Sequence, residues 1–272
     1  MKNDKLGDRM KMYESQTTSL KLIPLLPVVV RLDGNSFSKF TKGLKRPYDE
    51  RLSKLMIETT RFLVKEFNPN IGYTQSDEIT LVFYNSDPKT QMIFGGRVFK
   101  IETKLATSAS VFFNKCLKEY LPEKSDKSPT FDCRVFNVPT KEEAANALLW
   151  RELDATKNSI TMAASELYSH NFLNKKNSSD KQELLFEKGV NWNDYPTFFK
   201  RGSYIQRKRV YREFTPEELK KLPSKHKARV NPDLKIERWE IRDIDLPPLT
   251  KIENKVDVIL FGEDPKPYPI LD

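Results

Sequence analysis

The first half of the chain alternates between short apolar runs and longer segments in which apolar residues recur every three or four positions. The apolar runs predict strands over 27–32, 71–74, 79–84 and 131–138. The three- and four-residue spacing predicts helices over 49–67 and about 97–120. The resulting order, β-α-β-β-α-β, is typical of an α+β, ferredoxin-like fold, with two helices on one face of a four-stranded antiparallel sheet. The first and third strands then lie side by side in its middle.

The pattern changes after Pro139. A long helix or a pair of helices is predicted over 141–169, with a further helix over 179–188 and a short one over 215–221. The segments 202–214 and 237–245 have the composition of strands, which predicts a β-hairpin extension. We therefore divide the chain into an α/β core, residues 1–139, and a helical and basic part, residues 140–272. The second part is expected to pack on the first rather than fold independently.

The net charge of +9, from 47 basic and 38 acidic residues, favours a polyanionic partner, with nucleic acid ahead of an anionic membrane. Six bases fall within 13 residues and alternate with aromatic side chains. They form a candidate strip for binding the RNA backbone: Lys200, Arg201, Arg207, Lys208, Arg209 and Arg212. The alternative interpretation is an exposed strand whose charges block pairing at its edge.

The small number of cysteines and the short apolar runs narrow the class of protein further. Two cysteines, Cys116 and Cys133, exclude a disulfide scaffold and a cysteine-rich zinc site. No apolar run approaches the ~20 residues of a membrane-spanning helix, and Met1–Arg9 shows no signal-peptide pattern. These features predict a cytoplasmic location with no membrane partner.

Carboxylates stand at two predicted strand ends. Asp33 follows the first strand directly and precedes Gly34, which lets a ligand approach the backbone. Asp77 lies in the hairpin, with Glu78 beside it. Two carboxylates and a carbonyl oxygen suit Mg²⁺, and paired ions can hold both reacting oxygens in phosphoryl transfer. Taken singly, each aspartate is an ordinary turn or cap residue, and only the topology joins them.

A further phosphate contact is a possible role for two bases near the start of the second helix. Arg97 and Lys100 are three residues apart, so both can face one phosphate chain. A solvated helix surface is the alternative.

Several spaced motifs, in this order, resemble the tRNA(His) guanylyltransferase family over residues 5–215, and within it the guanylyltransferase-like 3′-to-5′ polymerases. The matching stretches are Arg31-Leu32-Asp33-Gly34-Asn35-Ser36-Phe37, Pro47-Tyr48-Asp49, Gly72-Tyr73-Thr74-Gln75-Ser76-Asp77-Glu78, Phe131-Asp132-Cys133-Arg134-Val135, Trp150-Arg151 and Asp180-Lys181-Gln182-Glu183-Leu184-Leu185-Phe186.

The resemblance implies a polymerase-type palm in which Asp33, the carbonyl of Gly34, and Asp77 hold two Mg²⁺ ions, supported by Ser76 and Glu78. It implies nucleotide contacts from the backbone of Asn35, Ser36 and Phe37, and from Arg46 (or Lys45), Arg97, Lys100 and Asn158. Lys181 falls in a stretch that the family uses at the active site or for the tRNA end. ATP and GTP are the implied substrates, tRNA the implied partner, and a homotetramer the implied assembly.

Three positions depart from the family pattern. Thr156 stands where the guanylyltransferase branch has a histidine, although Asn158 is kept. Gly96 replaces the first of two arginines, and Ser38 replaces a histidine. These departures favour repair of 5′-truncated tRNA over addition of G at position −1 of tRNA(His).

Two other classes of function remain open at this point. A palm-type nucleotide cyclase shares the β-α-β-β-α-β core and the two carboxylate positions. A binding module without chemistry would contact RNA through aromatic residues on its sheet. The long basic second half argues against the cyclase, and the carboxylates at the strand ends argue against the binding module.

Overall fold

Six strands form one antiparallel sheet in the part of the chain that the computed structural model describes, residues 5–231 and 233–268. The strands are β1 (Val28–Gly34), β2 (Ile71–Gln75), β3 (Glu78–Phe83), β4 (Phe131–Asn137), β5 (Ser203–Glu213) and β6 (Lys235–Ile244). Their order across the sheet is β4-β1-β3-β2-β5-β6. The predicted ferredoxin-like order is confirmed in its first four strands, with β1 and β3 adjacent.

Eleven α-helices are assigned within the described residues. They are α1 (Lys5–Thr18), α2 (Phe37–Phe40), α3 (Glu50–Phe67), α4 (Val98–Tyr120), α5 (Lys141–Ser165), α6 (His170–Leu173), α7 (Ser178–Glu187), α8 (Thr197–Arg201), α9 (Pro216–Lys221), α10 (Lys227–Val230) and α11 (Lys255–Phe261). No described helix is long and apolar enough to cross a membrane.

The helices α3 and α4 cover one face of the sheet. The N-cap of α3 is Asp49, whose side chain accepts a hydrogen bond from the Arg51 N–H over 3.0 Å, and its C-cap is Asn68, which adopts a left-handed conformation with φ 56°. The apolar stripes of the two helices bury Leu63 and Leu105 against strand residues such as Leu32. This layer is the main hydrophobic core.

The expected four-stranded sheet is too small, because β5 pairs with β2 and β6 pairs with β5. The junction depends on Gly202, whose φ is 81° and where a Cβ atom would lie 2.6 Å from the Thr74 carbonyl oxygen. Only glycine combines this conformation with this approach of two backbones. The second half of the chain therefore continues the sheet of the first.

The second face of the sheet is covered by α5 and α11. Side chains of Tyr73 and Val82 pack there against Leu148 of α5 and Ile259 of α11. The helix α5 begins after its N-cap Thr140, whose hydroxyl accepts a hydrogen bond from the Glu143 N–H over 3.2 Å.

The path from β4 into α5 is tied to the start of β1. The Val138 N–H donates to the Pro27 carbonyl oxygen over 3.0 Å, directly after β4 ends at Asn137. The chain then crosses to the second face of the sheet. Because side chains alternate along a strand, Arg31, Asp33 and Glu78 project toward this α5 face.

The two ends of the sheet differ in what lies at them. At one end, which we call the carboxylate end, β1 finishes at Gly34 opposite Phe131, and the β2–β3 turn lies beside it. At the opposite end, β1 begins at Val28 opposite Asn137. The helix α4 runs from the opposite end toward the carboxylate end, since Ser110 accepts a hydrogen bond from the Phe131 N–H over 3.0 Å.

Candidate active site

A backbone hydrogen bond joins the two predicted metal-binding segments. The Gly34 N–H donates to the Asp77 carbonyl oxygen over 3.1 Å, and Asp33 pairs with Glu78 in the β1–β3 register. Ser76 and Asp77 form a two-residue turn between β2 and β3, with Ser76 left-handed at φ 48°. The end of β1 and the hairpin turn therefore meet, and they bring Asp33 and Asp77 together at the carboxylate end of the sheet.

The charges of this pair suit a cation. Burial raises the pKa of Asp77, and the nearby charge of Asp33 raises it further, while the Ser76 hydroxyl donates to the carboxylate and lowers it. The described residues contain no group of three or more His, Cys, Asp or Glu side chains arranged to hold a metal. Two carboxylates and a carbonyl oxygen still fit Mg²⁺, which usually completes its shell with water and substrate phosphates.

The missing side chain of Gly34 makes room for an aromatic ring of the same chain. A Cβ atom on Gly34 would lie 2.3 Å from the ring of Phe37. That ring is buried against Phe40, Phe113 and Phe131, with centroids 5.1 to 5.6 Å apart. The sequence predicts that Gly34 lets a ligand approach the backbone. In the structure the neighbour that requires the glycine is the Phe37 ring, and the approach of a ligand stays a prediction.

The segment after Gly34 is held to the start of β4. The Asn35 N–H donates to the Thr130 carbonyl oxygen over 2.8 Å, and the Asn35 side chain donates to the Thr130 hydroxyl over 3.1 Å. Ser36 adopts a left-handed conformation, with φ 57°, before α2. The backbone of these residues, which the resemblance implies for nucleotide binding, is thereby ordered beside Asp33.

Glu78 is neutralised by the protein itself. Its carboxylate pairs with Arg151 Nη2 at 2.6 Å and with Arg31 Nη2 at 3.7 Å. Burial raises the pKa of Glu78, and the two guanidinium groups oppose that rise. Glu78 therefore differs from Asp33 and Asp77, because its negative charge already has protein cations beside it.

Sequence reasoning assigned no role to Arg151, although it stands in a matching motif. Arg151 is only 4% exposed and also pairs with Asp154 at 2.9 Å. An arginine followed by an aspartate three residues later on a helix is a detectable signal for an ion pair. The signal does not reveal Glu78 as the other partner, since that residue lies on a distant strand.

Three other predicted site residues, Asn158, Lys181 and Arg46, lie in α5 or contact α5 or its C-cap. Asn158 donates to Asp154 over 3.3 Å, and Lys181 donates to the Thr161 hydroxyl over 3.0 Å. Arg46 pairs with Glu166 at 3.4 Å. With a rise of about 1.5 Å per residue, Asn158 lies about 10 Å along the axis from Arg151, and the other two contacts lie further out.

Two predicted nucleotide-binding residues lie elsewhere. Arg97 and Lys100 stand at the start of α4, at the opposite end of the sheet, where Arg97 lines a cavity of about 610 Å³ with Lys21. Ten residues separate Lys100 from Ser110, which is level with the carboxylate end, so the axial distance is about 15 Å. The structure does not bring these two bases to the carboxylates of their own chain.

The bases of the predicted RNA strip have partners within the chain. Lys200 contacts Asn193, Arg201 contacts Leu246, and Arg207 contacts Asn68. Lys208 contacts Asp264, Arg209 contacts Glu237, and Arg212 contacts Glu218. Side chains on β5 alternate between its two faces, so Arg207 and Arg209 point away from Lys208 and Arg212. The strip is therefore divided over two faces, and its role with RNA stays a prediction.

Comparison with known proteins identifies the family. Residues 7–139 match the family model described as tRNAHis guanylyltransferase, and residues 144–246 match the one described as Thg1 C terminal domain. The chain belongs to the tRNA(His) guanylyltransferase family. This family consists of nucleotidyltransferases that act on tRNA, and the recognition made from the sequence motifs is confirmed.

Individual relatives agree with this assignment. The tRNA(His) guanylyltransferase of Neurospora crassa is 30% identical over 207 residues, which cover 68% of this chain and 68% of that protein. A bacterial tRNA(His) guanylyltransferase (Thg1)-like protein in complex with ATP has a TM-score of 0.76 and 33% identity, over 94% of this chain and 98% of that one. The corresponding structure in complex with GTP has a TM-score of 0.71 and 31% identity, over 93% and 99%.

Proposed function

We propose that this protein is a Mg²⁺-dependent 3′-to-5′ nucleotidyltransferase that adds nucleotides to the 5′ end of tRNA, with preference for 5′-truncated tRNA. The observation that carries the proposal is the hydrogen bond from the Gly34 N–H to the Asp77 carbonyl oxygen, which joins the segments of Asp33 and Asp77 at the carboxylate end of a palm-like sheet. ATP and GTP, which occupy two bacterial neighbours, are the proposed nucleotide substrates.

The proposed reaction transfers a phosphoryl group. A 5′-phosphate oxygen of the tRNA first forms a bond to the α-phosphorus of ATP and pyrophosphate leaves, which gives an adenylylated 5′ end, or a 5′-triphosphate is used directly. The 3′-hydroxyl oxygen of the incoming nucleotide then forms a bond to the 5′ phosphorus, the bond to AMP or pyrophosphate breaks, and the hydroxyl proton is lost. Pyrophosphate is removed from the new end where needed.

The residues of the chain contribute position and charge. Asp33, Asp77 and the Gly34 carbonyl would hold the Mg²⁺ ions, and Ser76 orients the Asp77 carboxylate. Bound Mg²⁺ supplies neutralisation of the charge on the attacking and leaving oxygens. The backbone from Asn35 to Phe37 and the side chain of Asn158 are the proposed contacts of the nucleotide.

The proposed preference for truncated tRNA rests on the residue type at Thr156, where the guanylyltransferase branch has a histidine. This residue follows Arg151 by five positions on α5, which turns it about 140° around the helix. Its hydroxyl donates to the Glu152 carbonyl oxygen over 3.0 Å. The departure from the family histidine thus leaves the side of α5 that carries Arg151, Asp154 and Asn158 unchanged, and it is expected to alter tRNA choice rather than the chemical step.

The decisive experiment compares two 5′-monophosphorylated transcripts with ATP, GTP and Mg²⁺. One is full-length tRNA(His), and the other is a tRNA that lacks its first G opposite a C. We expect faster extension of the truncated tRNA. Faster extension of tRNA(His) would make the protein a guanylyltransferase that adds G at position −1, which the names of its relatives favour.

A third outcome would overturn both versions of the proposal. If wild-type protein extends neither transcript, even with a 5′-triphosphate, it is not a 5′-end nucleotidyltransferase for these RNAs. A cyclic nucleotide formed from ATP or GTP without RNA would instead indicate the nucleotide cyclase reaction.

A further inference from the structure

Arg151 is a buried cation that lies between two carboxylates. Its Nη2 atom is 2.6 Å from Glu78 Oε2 and 2.9 Å from Asp154 Oδ2. Its side chain is 5% exposed, and its guanidinium carbon lies 4.5 Å from the ring centroid of Trp150. The contact with Asp154 is a hydrogen bond, the contact with Glu78 is an ion pair without hydrogen-bond geometry, and the Nε atom of Arg151 is buried without a hydrogen-bond partner. These two contacts and the Trp150 ring hold the guanidinium in place.

The carboxylate of Glu78 lies beside the candidate metal-binding pair. Glu78 follows Asp77 directly and pairs with Asp33 across β1 and β3. Without Arg151, this third carboxylate would face Asp33 and Asp77 with only Arg31, at 3.7 Å, to balance it. A carboxylate free to rotate there could bind a cation in a geometry that serves no phosphoryl transfer.

We infer that Arg151 is a positioning residue, which holds the Glu78 carboxylate against α5 and so leaves the cation to Asp33 and Asp77. Asp154 in turn orients Arg151 and also accepts a hydrogen bond from Asn158 over 3.3 Å. A chain of contacts from Asn158 through Asp154 and Arg151 to Glu78 therefore connects α5 to the β2–β3 hairpin. This inference rests on the proposed function for its kinetic readout and on the proposed metal site at Asp33 and Asp77 for its Mn²⁺ readout.

The experiment measures single-turnover extension of whichever tRNA the wild type uses, together with Mn²⁺ affinity by calorimetry in the absence of RNA. We expect Arg151→Gln to reduce the rate about 10- to 100-fold, the usual effect of substituting a residue just outside the ligands of a metal site. The Mn²⁺ dissociation constant should stay equal or fall, since the substitution removes a positive charge from the vicinity. Arg151→Lys should restore part of the rate.

Two further variants keep the test sound if Arg151→Gln folds poorly. Asp154→Asn removes the orienting carboxylate and leaves the Arg151 charge in place, so a smaller loss of rate is expected. Glu152→Gln is the matched control, because Glu152 is 2% exposed on the same helix but accepts hydrogen bonds from Tyr204 and Leu249, each over 2.8 Å. It should lower the melting temperature and leave the Mn²⁺ affinity unchanged.

The outcomes separate positioning from a structural role. Weaker Mn²⁺ binding in Arg151→Gln, with a lower melting temperature and no rescue by lysine, would mean that Arg151 only supports the fold. A rate close to wild type in both Arg151 variants would also overturn the inference. If wild-type protein extends no tRNA, the proposed function fails, while Mn²⁺ affinity still reports on Arg151.

Discussion

The Gly34 N–H donates to the Asp77 carbonyl oxygen over 3.1 Å, and this bond joins two segments that are more than forty residues apart in the chain. It continues the pairing of β1 with β3 beyond the last paired residues, Asp33 and Glu78. The two candidate metal ligands are therefore held by backbone hydrogen bonds, which do not depend on either carboxylate. Substitution of the aspartates should leave the frame of the site intact.

The first prediction follows from that independence. Asp33→Asn and Asp77→Asn should each abolish most nucleotide addition, since losing several kcal/mol of charge stabilisation slows a reaction by about 100- to 1000-fold or more. Asp77→Asn should not lower the melting temperature, because burial and Asp33 raise the pKa of Asp77 and make its charged form costly at neutral pH. Extension assays and thermal unfolding measure the two effects, with the exposed Asp126→Asn as control. Retained activity in both variants would contradict the proposed site.

A second prediction concerns Gly34. An alanine there would place its Cβ atom 2.3 Å from the Phe37 ring, so the ring must move within a filled core. Overpacking of this kind destabilises a protein by about 1–3 kcal/mol. Gly34→Ala should lower the free energy of unfolding and the rate of nucleotide addition together. Adding Phe37→Leu should recover part of the stability, which urea denaturation can test; no recovery would mean that another contact requires the glycine.

A third prediction concerns stability in acid. The Arg51 side chain holds the pKa of Asp49 down, to about 2 from an ordinary value of 3.8. A depressed folded-state pKa contributes stability above the unfolded-state value and loses it as the pH falls toward 2. Asp49→Ala should cost about 1–2 kcal/mol at neutral pH through loss of the N-cap of α3. Its deficit relative to wild type should shrink between about pH 4 and pH 2, as measured by urea midpoints; a constant deficit would exclude the ionised pair as its source.

A fourth prediction concerns assembly. Within the described chain none of the α1 residues is buried, although Leu6, Met10 and Tyr13 form one apolar side of that helix. Isolated helices shorter than about 12–15 residues are marginal in water, so packing against another copy would stabilise α1. We expect a homo-oligomer, with a tetramer implied by the resemblance. Light scattering should give a multiple of 31.8 kDa, and Met10→Glu should reduce it. A monomeric wild type would contradict this prediction.

Much of the carboxylate end was predictable from local patterns. The strand before Asp33, the hairpin around Asp77 and the order of elements together predict that these residues meet. The structure has β1 beside β3, and its register, with Asp33 opposite Glu78, is a finding of the structure. Asp33 and Glu78 share a face because they are paired across β1 and β3. The role of Arg151 was not predictable in the same way, because its partner Glu78 lies more than seventy residues away.

The sequence by itself determined the element order, the two aspartates, the basic charge and the family, because periodicity and ordered motifs are properties of local stretches of chain. Only the tertiary structure decided the rest: that β5 extends the sheet, that Arg97 and Lys100 begin α4 at the end opposite the carboxylates, and that the bases of β5 are paired within the chain. These features depend on which distant segments meet. Such long-range pairing is set by the packing of whole sheet and helix faces. Each face is built from several distant stretches of sequence, so no single stretch predicts it.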